Sequence, residues 1–434
     1  MTPVIIGIIC LAFLFILLLM QMPIAIAMGL TGFIGSAWLL GFDQALGMLG
    51  IYPFETWSSY TLSVVPLFIL MGLLLYNSGV STDLYDAAYT WIGHVRGGLA
   101  MATVGGCAAF ASVSGSSIST AVTMGMVAIP EMRKHKYDPG LMTGVVASGG
   151  TMGAMIPPSM GLIFYGIITE QSIGKLFLAG FIPGITEAIF YIATIYLLCT
   201  LRPNMGPPGP YTTLREKGKS LKKTFPIFCL FLLVIGGIYF GVFSPTEAGG
   251  IGAFGAFMYA IITGNLARPL FLESLRSTTK VVAMVLLILT GASMLNIFMA
   301  VSRLPTELSD FVGSLPLNRY IILTFILFFY LVLGCFMDPL SMMLLTLPVF
   351  FPLIIAMDFN PIWFGILVTR MGEIANITPP LGMTLFVIKG IAKDIHMQTV
   401  VRGIVPFIVA DILHLILLIV FPQISLFLPG MMSH

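Results

Sequence analysis

Charge is scarce in this sequence: 20 Lys and Arg with 18 Asp and Glu make up only 9% of its 434 residues, where a soluble protein carries roughly 25%. That deficit excludes an ordinary water-soluble enzyme. The net charge of +2 supplies no field for nucleic acid. Cysteine is sparse too: Cys10, Cys107, Cys199, Cys229 and Cys335 lie singly in apolar stretches, which excludes a zinc cluster or a disulfide framework. The histidines are scattered without ligand spacing. No nucleophile stands with a base, so covalent catalysis and organic cofactors are not expected. What is abundant is apolar surface, with 58% hydrophobic residues and a mean hydropathy of +1.03. The chain is therefore expected to be an all-α polytopic membrane protein whose surroundings are lipid.

A bilayer core of about 30 Å takes roughly 20 apolar residues per helical crossing. Crossings are expected at 4–20, 23–41, 57–77, 140–170, 178–200, 225–243, 247–265, 278–302, 362–392 and 402–428. The first lacks a basic flank and a small-residue cleavage site, so it reads as a retained helix. The stretches 97–131 and 318–356 are too long for one straight crossing and are interrupted near their middles, the pattern of re-entrant hairpins. Short segments of mixed polarity, 81–94 and 303–316, precede them as arm helices, with Trp91 as a headgroup anchor. Residues 202–224, rich in Pro, Gly, Lys and Arg, read as a solvated cytoplasmic linker.

Sliding the chain by 222 positions sets Pro23 on Pro245, Pro130 on Pro352, Pro139 on Pro361 and Pro157-Pro158 on Pro379-Pro380. Proline in lipid must be compensated, so shared prolines imply shared irregular backbone. Residues 1–201 and 225–434 then form two repeats with five crossings and one hairpin each, about ten crossings in all. An odd number inverts the second copy. With the linker in the cytoplasm, sixteen of the 20 Lys and Arg fall on its side, Lys175, Arg303 and Arg319 opposite, and Arg370 within the membrane. The positive-inside rule thus agrees with inverted repeats and places both termini outside, a transporter architecture.

The chemistry concentrates where backbone breaks. The first hairpin tip, Ser114-Gly115-Ser116-Ser117, offers oxygens without bulk to a hard cation, although its hydroxyls can also bond back to helix carbonyls. The double prolines should unwind two crossings, after Gly150, Gly153 and Ile156 in one and after Gly372, Ala375 and Asn376 in the other. Asp338, at the apex Gly334-Cys335-Phe336-Met337-Asp338, falls opposite Ser116 at the same offset; it is read as a cation ligand or as a cap for the second hairpin arm. Arg370 and Glu373 lie on one helical face and are expected to pair, or else Arg370 meets a substrate anion while Glu373 holds it. Glu187 and Asp411 are assigned only to bonds with neighbouring helices.

The stretches V-S-G-S-S (113–117), G-G-T-M-G-x-x-I-P-P-S (149–159), F-M-D-P (336–339) and I-T-P-P-L-G (377–382), in this order, resemble the large membrane subunit of tripartite ATP-independent periplasmic (TRAP) transporters, the DctM-like family. The resemblance runs over nearly the whole chain. It implies a fold related to divalent-anion/sodium symporters, an elevator of scaffold and transport domains, and Na⁺-coupled uptake of an organic acid anion, carboxylate or sulfonate. It also implies a separate small four-helix membrane subunit, a periplasmic substrate-binding protein and residence in the bacterial inner membrane. Carried over by motif, one Na⁺ site involves Ser114, Gly115, Ser116, Gly150, Gly153 and Ile156, and a second Gly334, Asp338, Gly372, Ala375 and Thr378. The substrate would lie near Ser117, Pro158, Ser159, Arg370, Asn376 and Thr378. Arg370 and Asn376 are more polar than the family wording. A standalone Na⁺- or H⁺-coupled anion symporter is the alternative.

Overall fold

The computed structural model describes residues 2–380 and 382–432, so Leu381 of the second proline motif and the extreme terminal residues lie outside the described part. The chain begins with α1 (Pro3–Leu19), α2 (Ile24–Leu40), α3 (Phe42–Trp57), α4 (Val64–Asn77) and α5 (Val80–Ile92). Then come α6 (Gly98–Ser114) and α7 (Ser117–Lys134), joined by a two-residue turn, followed by α8 (Pro139–Met155), α9 (Met160–Thr169) and α10 (Ile173–Leu201). The second half runs α11 (Leu214–Tyr239), α12 (Pro245–Ile262), α13 (Arg268–Ser302), α14 (Leu304–Ser314), α15 (Arg319–Gly334) and α16 (Pro339–Ala356). It ends with α17 (Pro361–Ile377), α18 (Met383–Ile391), α19 (Met397–Val420) and α20 (Gln423–Met431). The described residues contain no strand, and seven helical segments among them are long and apolar enough to cross a membrane.

Helix starts follow from local chemistry. Asp138 accepts from the Leu141 amide at 3.0 Å before Pro139, and Asn360 accepts from Ile362 and Trp363 before Pro361. An Asx cap followed by a proline that needs no amide partner fixes where α8 and α17 begin. The core is dense and continuous from α1 to α19. α13 lies along α2 and α12 along α4, while α7 and α19 flank α8. Small residues allow this where lipid supplies no hydrophobic drive: a Cβ on Gly32 would fall 2.5 Å from the Met294 carbonyl carbon.

Several expected boundaries move. Residues 42–56, assigned to no crossing, form α3 together with Trp57, which donates to Thr290 at 2.9 Å; mixed polarity and Pro53 hide this helix in the sequence. The crossing expected at 57–77 splits at Ser58-Ser59, and that at 402–428 splits at Pro422, between α19 and α20. The crossing expected at 278–302 is the second part of a 35-residue helix, about 52 Å long at about 1.5 Å per residue and so longer than a bilayer core. The linker is neither wholly irregular nor free. Its last part is the capped start of α11, with Thr213 and Glu216 bonding each other's amides, and its first part is laced to the protein by Gly97 N to Gly206 O and Asp138 N to Met205 O bonds, both 2.9 Å.

Candidate functional site

Each double proline interrupts its helix: α8 gives way to α9 across 156–159, and α17 to α18 after Ile377. Both Pro157-Pro158 and Pro379-Pro380 bonds are cis. Ser159 restarts the first helix, accepting from the Leu162 amide at 3.3 Å while donating to the Ala154 carbonyl.

The α6–α7 tip docks on the first break. Gly115 turns the chain with φ +60°, a conformation costly to residues with a Cβ. Its carbonyl accepts from Met160 N at 3.2 Å, and a side chain there would meet the Pro158 carbonyl oxygen at 2.5 Å. Gly153 is the matching surface, since a Cβ on it would sit 2.6 Å from the Ser116 carbonyl oxygen; Gly150 likewise abuts Ala121. The tip hydroxyls are used locally: Ser116 Oγ accepts from Ser119 N at 3.4 Å, and Ser114 Oγ bonds Thr120 Oγ1 at 2.8 Å. Ile156 turns away to pack on Gly184 of α10.

The α15–α16 tip docks on the second break in the same manner. Gly334 faces Ala375, and Gly372 faces Pro339. The thiol of Cys335 approaches the Thr378 carbonyl oxygen at 3.9 Å, and Thr378 Oγ1 donates to the Ile374 carbonyl at 2.5 Å. Asp338 caps α16, accepting at 2.9 Å from the Ser341 amide and at 2.5 Å from its hydroxyl. The capping alternative raised for this carboxylate is therefore what its side chain does here.

Between the two docked tips lies a cavity of about 340 Å³, within the range of roughly 300–1,000 Å³ usual for ligand pockets. Ser114 to Ser119, Met160, Asp338, Thr369, Glu373 and Asn376 form one side; Ile69, Gly72 and Leu73 of α4 with Ser277, Val281 and Met284 of α13 form the other. Of the residues expected around a substrate, Ser117 and Asn376 line it. Pro158, Ser159, Thr378 and Arg370 do not. Thr369, Glu373 and the α4–α13 wall were not expected, and no local sequence signal marks that wall.

Arg370 is the clearest correction. It does not pair with Glu373. Its Nη1 lies 2.6 Å from Glu187 Oε1 on α10 and its Nη2 2.5 Å from Asp411 Oδ1 on α19, all three side chains being fully enclosed. Thr151 of α8 joins them, donating to Glu187 at 3.1 Å and sharing a 3.0 Å bond with Tyr191. Two buried carboxylates need a cation, and the guanidinium, with donors on two edges, serves both. The charged residue inside each of these apolar helices was the signal that could have found the arrangement.

A sequence model for the family described as "Tripartite ATP-independent periplasmic transporter, DctM component" matches residues 11–424. The chain belongs to the DctM family. It is 33% identical over 393 residues to the C4-dicarboxylate TRAP transporter large permease protein DctM of Pseudomonas aeruginosa, covering 90% of this chain and 91% of that one. It is also 33% identical over 372 residues to the sialic acid TRAP transporter large permease protein SiaM of Vibrio cholerae, covering 86% of each. A solved structure of the Alcanivorax borkumensis YdaH transporter, 15% identical, superposes with a TM-score of 0.64 over 90% of this chain and 91% of that one. That likeness concerns the fold. As a DctM-family large permease this multi-pass membrane chain is a transporter component rather than an enzyme.

Proposed function

We propose that this chain is the permease subunit of a Na⁺-coupled secondary-active importer of an organic acid in the bacterial inner membrane. The observation carrying this reading is the convergence on one cavity of both hairpin tips and of the helix residues flanking both breaks, Ala154 and Met160 at one and Asn376 at the other. Helix ends left open by the breaks present amides and carbonyls that have no water in lipid, and such ends suit an anionic substrate and a coupling cation respectively. Two Na⁺ ions would sit where tip meets break, one among Ser114, Gly115, Ser116, Gly150, Gly153 and Ile156, the other among Gly334, Asp338, Gly372, Ala375 and Thr378. Na⁺ binding would order the tips before the acid group reaches the helix ends.

In this reading the two halves are inverted repeats, and tips with breaks form a transport unit that slides as an elevator against a scaffold containing α4 and α13. The cavity's position between these two groups supports that division. The family's description as tripartite supports two partners: a small four-helix membrane subunit and a periplasmic binding protein that delivers the acid. The relatives' named substrates, a C4-dicarboxylate and sialic acid, support the substrate class. Both termini would face the periplasm.

The test is uptake into proteoliposomes holding this chain and its small subunit. Uptake should require an inward Na⁺ gradient and the added binding protein. Transport that persists without the binding protein would favour the standalone symporter, and transport indifferent to Na⁺ would remove the coupling.

A further inference from the structure

We infer that the substrate admitted by this cavity carries a cationic group, such as an ammonium or amidinium, beside its acid group, and that Glu373 receives that cation. The inference rests on the transporter reading and narrows its substrate class.

Among the described residues the cavity lining holds two carboxylates, Asp338 and Glu373, and no Lys, Arg or His. Asp338 is already answered: both its oxygens accept from Ser341 at the start of α16, where the positive end of the helix offsets a negative charge. Glu373 has no cation or backbone amide in answer, only the Ser117 hydroxyl and the Asn376 side chain beside it. Arg370, its expected partner one turn earlier, is taken by Glu187 and Asp411 on two other helices. Glu373 is 2% exposed and its Oε2 has no hydrogen-bond partner. It also stands within the last turns of α17, the end at which a helix disfavours negative charge.

The lining therefore offers groups of both kinds. The start of α9 at Met160 suits an acid group, whereas Glu373, with Ser117 and Asn376 beside it, and the carbonyl end of α17 suit a cation. Asn376, one turn beyond Glu373, lines the same end with an unpartnered Oδ1, a further acceptor for a donor-bearing group. A simple dianion would place its second charge against Glu373 in a poorly screened site. A zwitterion places each charge against its complement.

The experiment uses thermal stabilisation of the purified full-length chain in NaCl, and in choline chloride as control. The probes are matched pairs that differ in one end group: taurine against isethionate, and γ-aminobutyrate against succinate. Wild type should bind the amine-bearing member about ten-fold or more tightly, roughly the effect of one charge pair in a desolvated site. Glu373→Gln should erase that preference, and Glu373→Asp, which keeps the charge, should retain much of it. Equal or tighter binding of isethionate and succinate, unaltered by Glu373→Gln, overturns the inference while the transporter reading stands. A variant that raises the Na⁺ requirement for all probes and keeps the preference makes Glu373 a sodium ligand instead, and also overturns it. No Na⁺-dependent stabilisation by any probe removes the cavity as a substrate site, and with it both readings of this site.

Discussion

Replacing Arg370 by methionine should be among the most damaging single changes in the chain. The variant keeps much of the side chain's volume and removes the one cation that Glu187 and Asp411 share at 2.6 and 2.5 Å. Two enclosed carboxylates would then face each other without water. Breaking a buried pair by removing one partner costs about 3–5 kcal/mol, and here the removed partner serves two anions, which puts the expected loss at the upper end. Asp411→Asn should behave differently. It leaves one cation with one anion and an amide able to hydrogen-bond, so its cost should be smaller by about 2 kcal/mol or more, roughly a 30-fold difference in the unfolding constant. Trp363 is a natural reporter, because it is 2% exposed on α17 and its indole donates to the Leu418 carbonyl on α19 at 2.9 Å, joining two of the helices that the cluster ties. Unfolding in mixed micelles followed by tryptophan fluorescence, for wild type, both single variants and the double variant, gives the coupling energy directly. Should Arg370→Met prove as mild as Asp411→Asn, the charged-cluster account is wrong.

Gly153→Val should push the first tip off its break, since a Cβ already meets the Ser116 carbonyl oxygen at 2.6 Å; uptake should drop at least about ten-fold per folded molecule, measured beside size-exclusion profiles. Gly32→Val overpacks α2 on α13, where a Cβ falls 2.5 Å from Met294 backbone, and should lower stability by about 1–3 kcal/mol without altering the Na⁺ dependence of uptake. Arg133→Ala removes a surface pair with Asp394 whose side chains are 50% and 64% exposed, so stability followed by thermal melting should fall by no more than about 1 kcal/mol.

Much of this fold is legible in the sequence because membrane depth punishes exceptions. The Asp138-Pro139 and Asn360-Pro361 pairs, the two double prolines and the tips at Gly115 and Gly334 are exceptions, and helices start, stop or turn at each of them. Boundaries that depend on tertiary packing are not legible. α3 presents Phe42, Leu46, Ile51 and Phe54 outward and buries only Ala45, so no periodic stripe announces it. The pairing of Arg370 escapes a sequence reading for a related reason: spacing along one helix points to Glu373, whereas the partners that satisfy it arrive from α10 and α19. Sequence separation conceals them, although charge neutrality in lipid demanded that Glu187 and Asp411 find a cation somewhere. Motif order pairs the tips with the right breaks, and the α4–α13 wall opposite them carries no motif to read.

Everything proposed for transport depends on a dissolved sodium ion occupying the junction of tip and break. Equilibrium binding of radiolabelled Na⁺ to the purified chain measures this without substrate or partner. Saturable binding is expected in wild type, weakened by Ser116→Ala and by Asp338→Asn singly and reduced further in the double variant, while Gly32→Val leaves it intact. Na⁺ binding that is unchanged in all three tip variants, or absent from the wild type, would contradict the central claim.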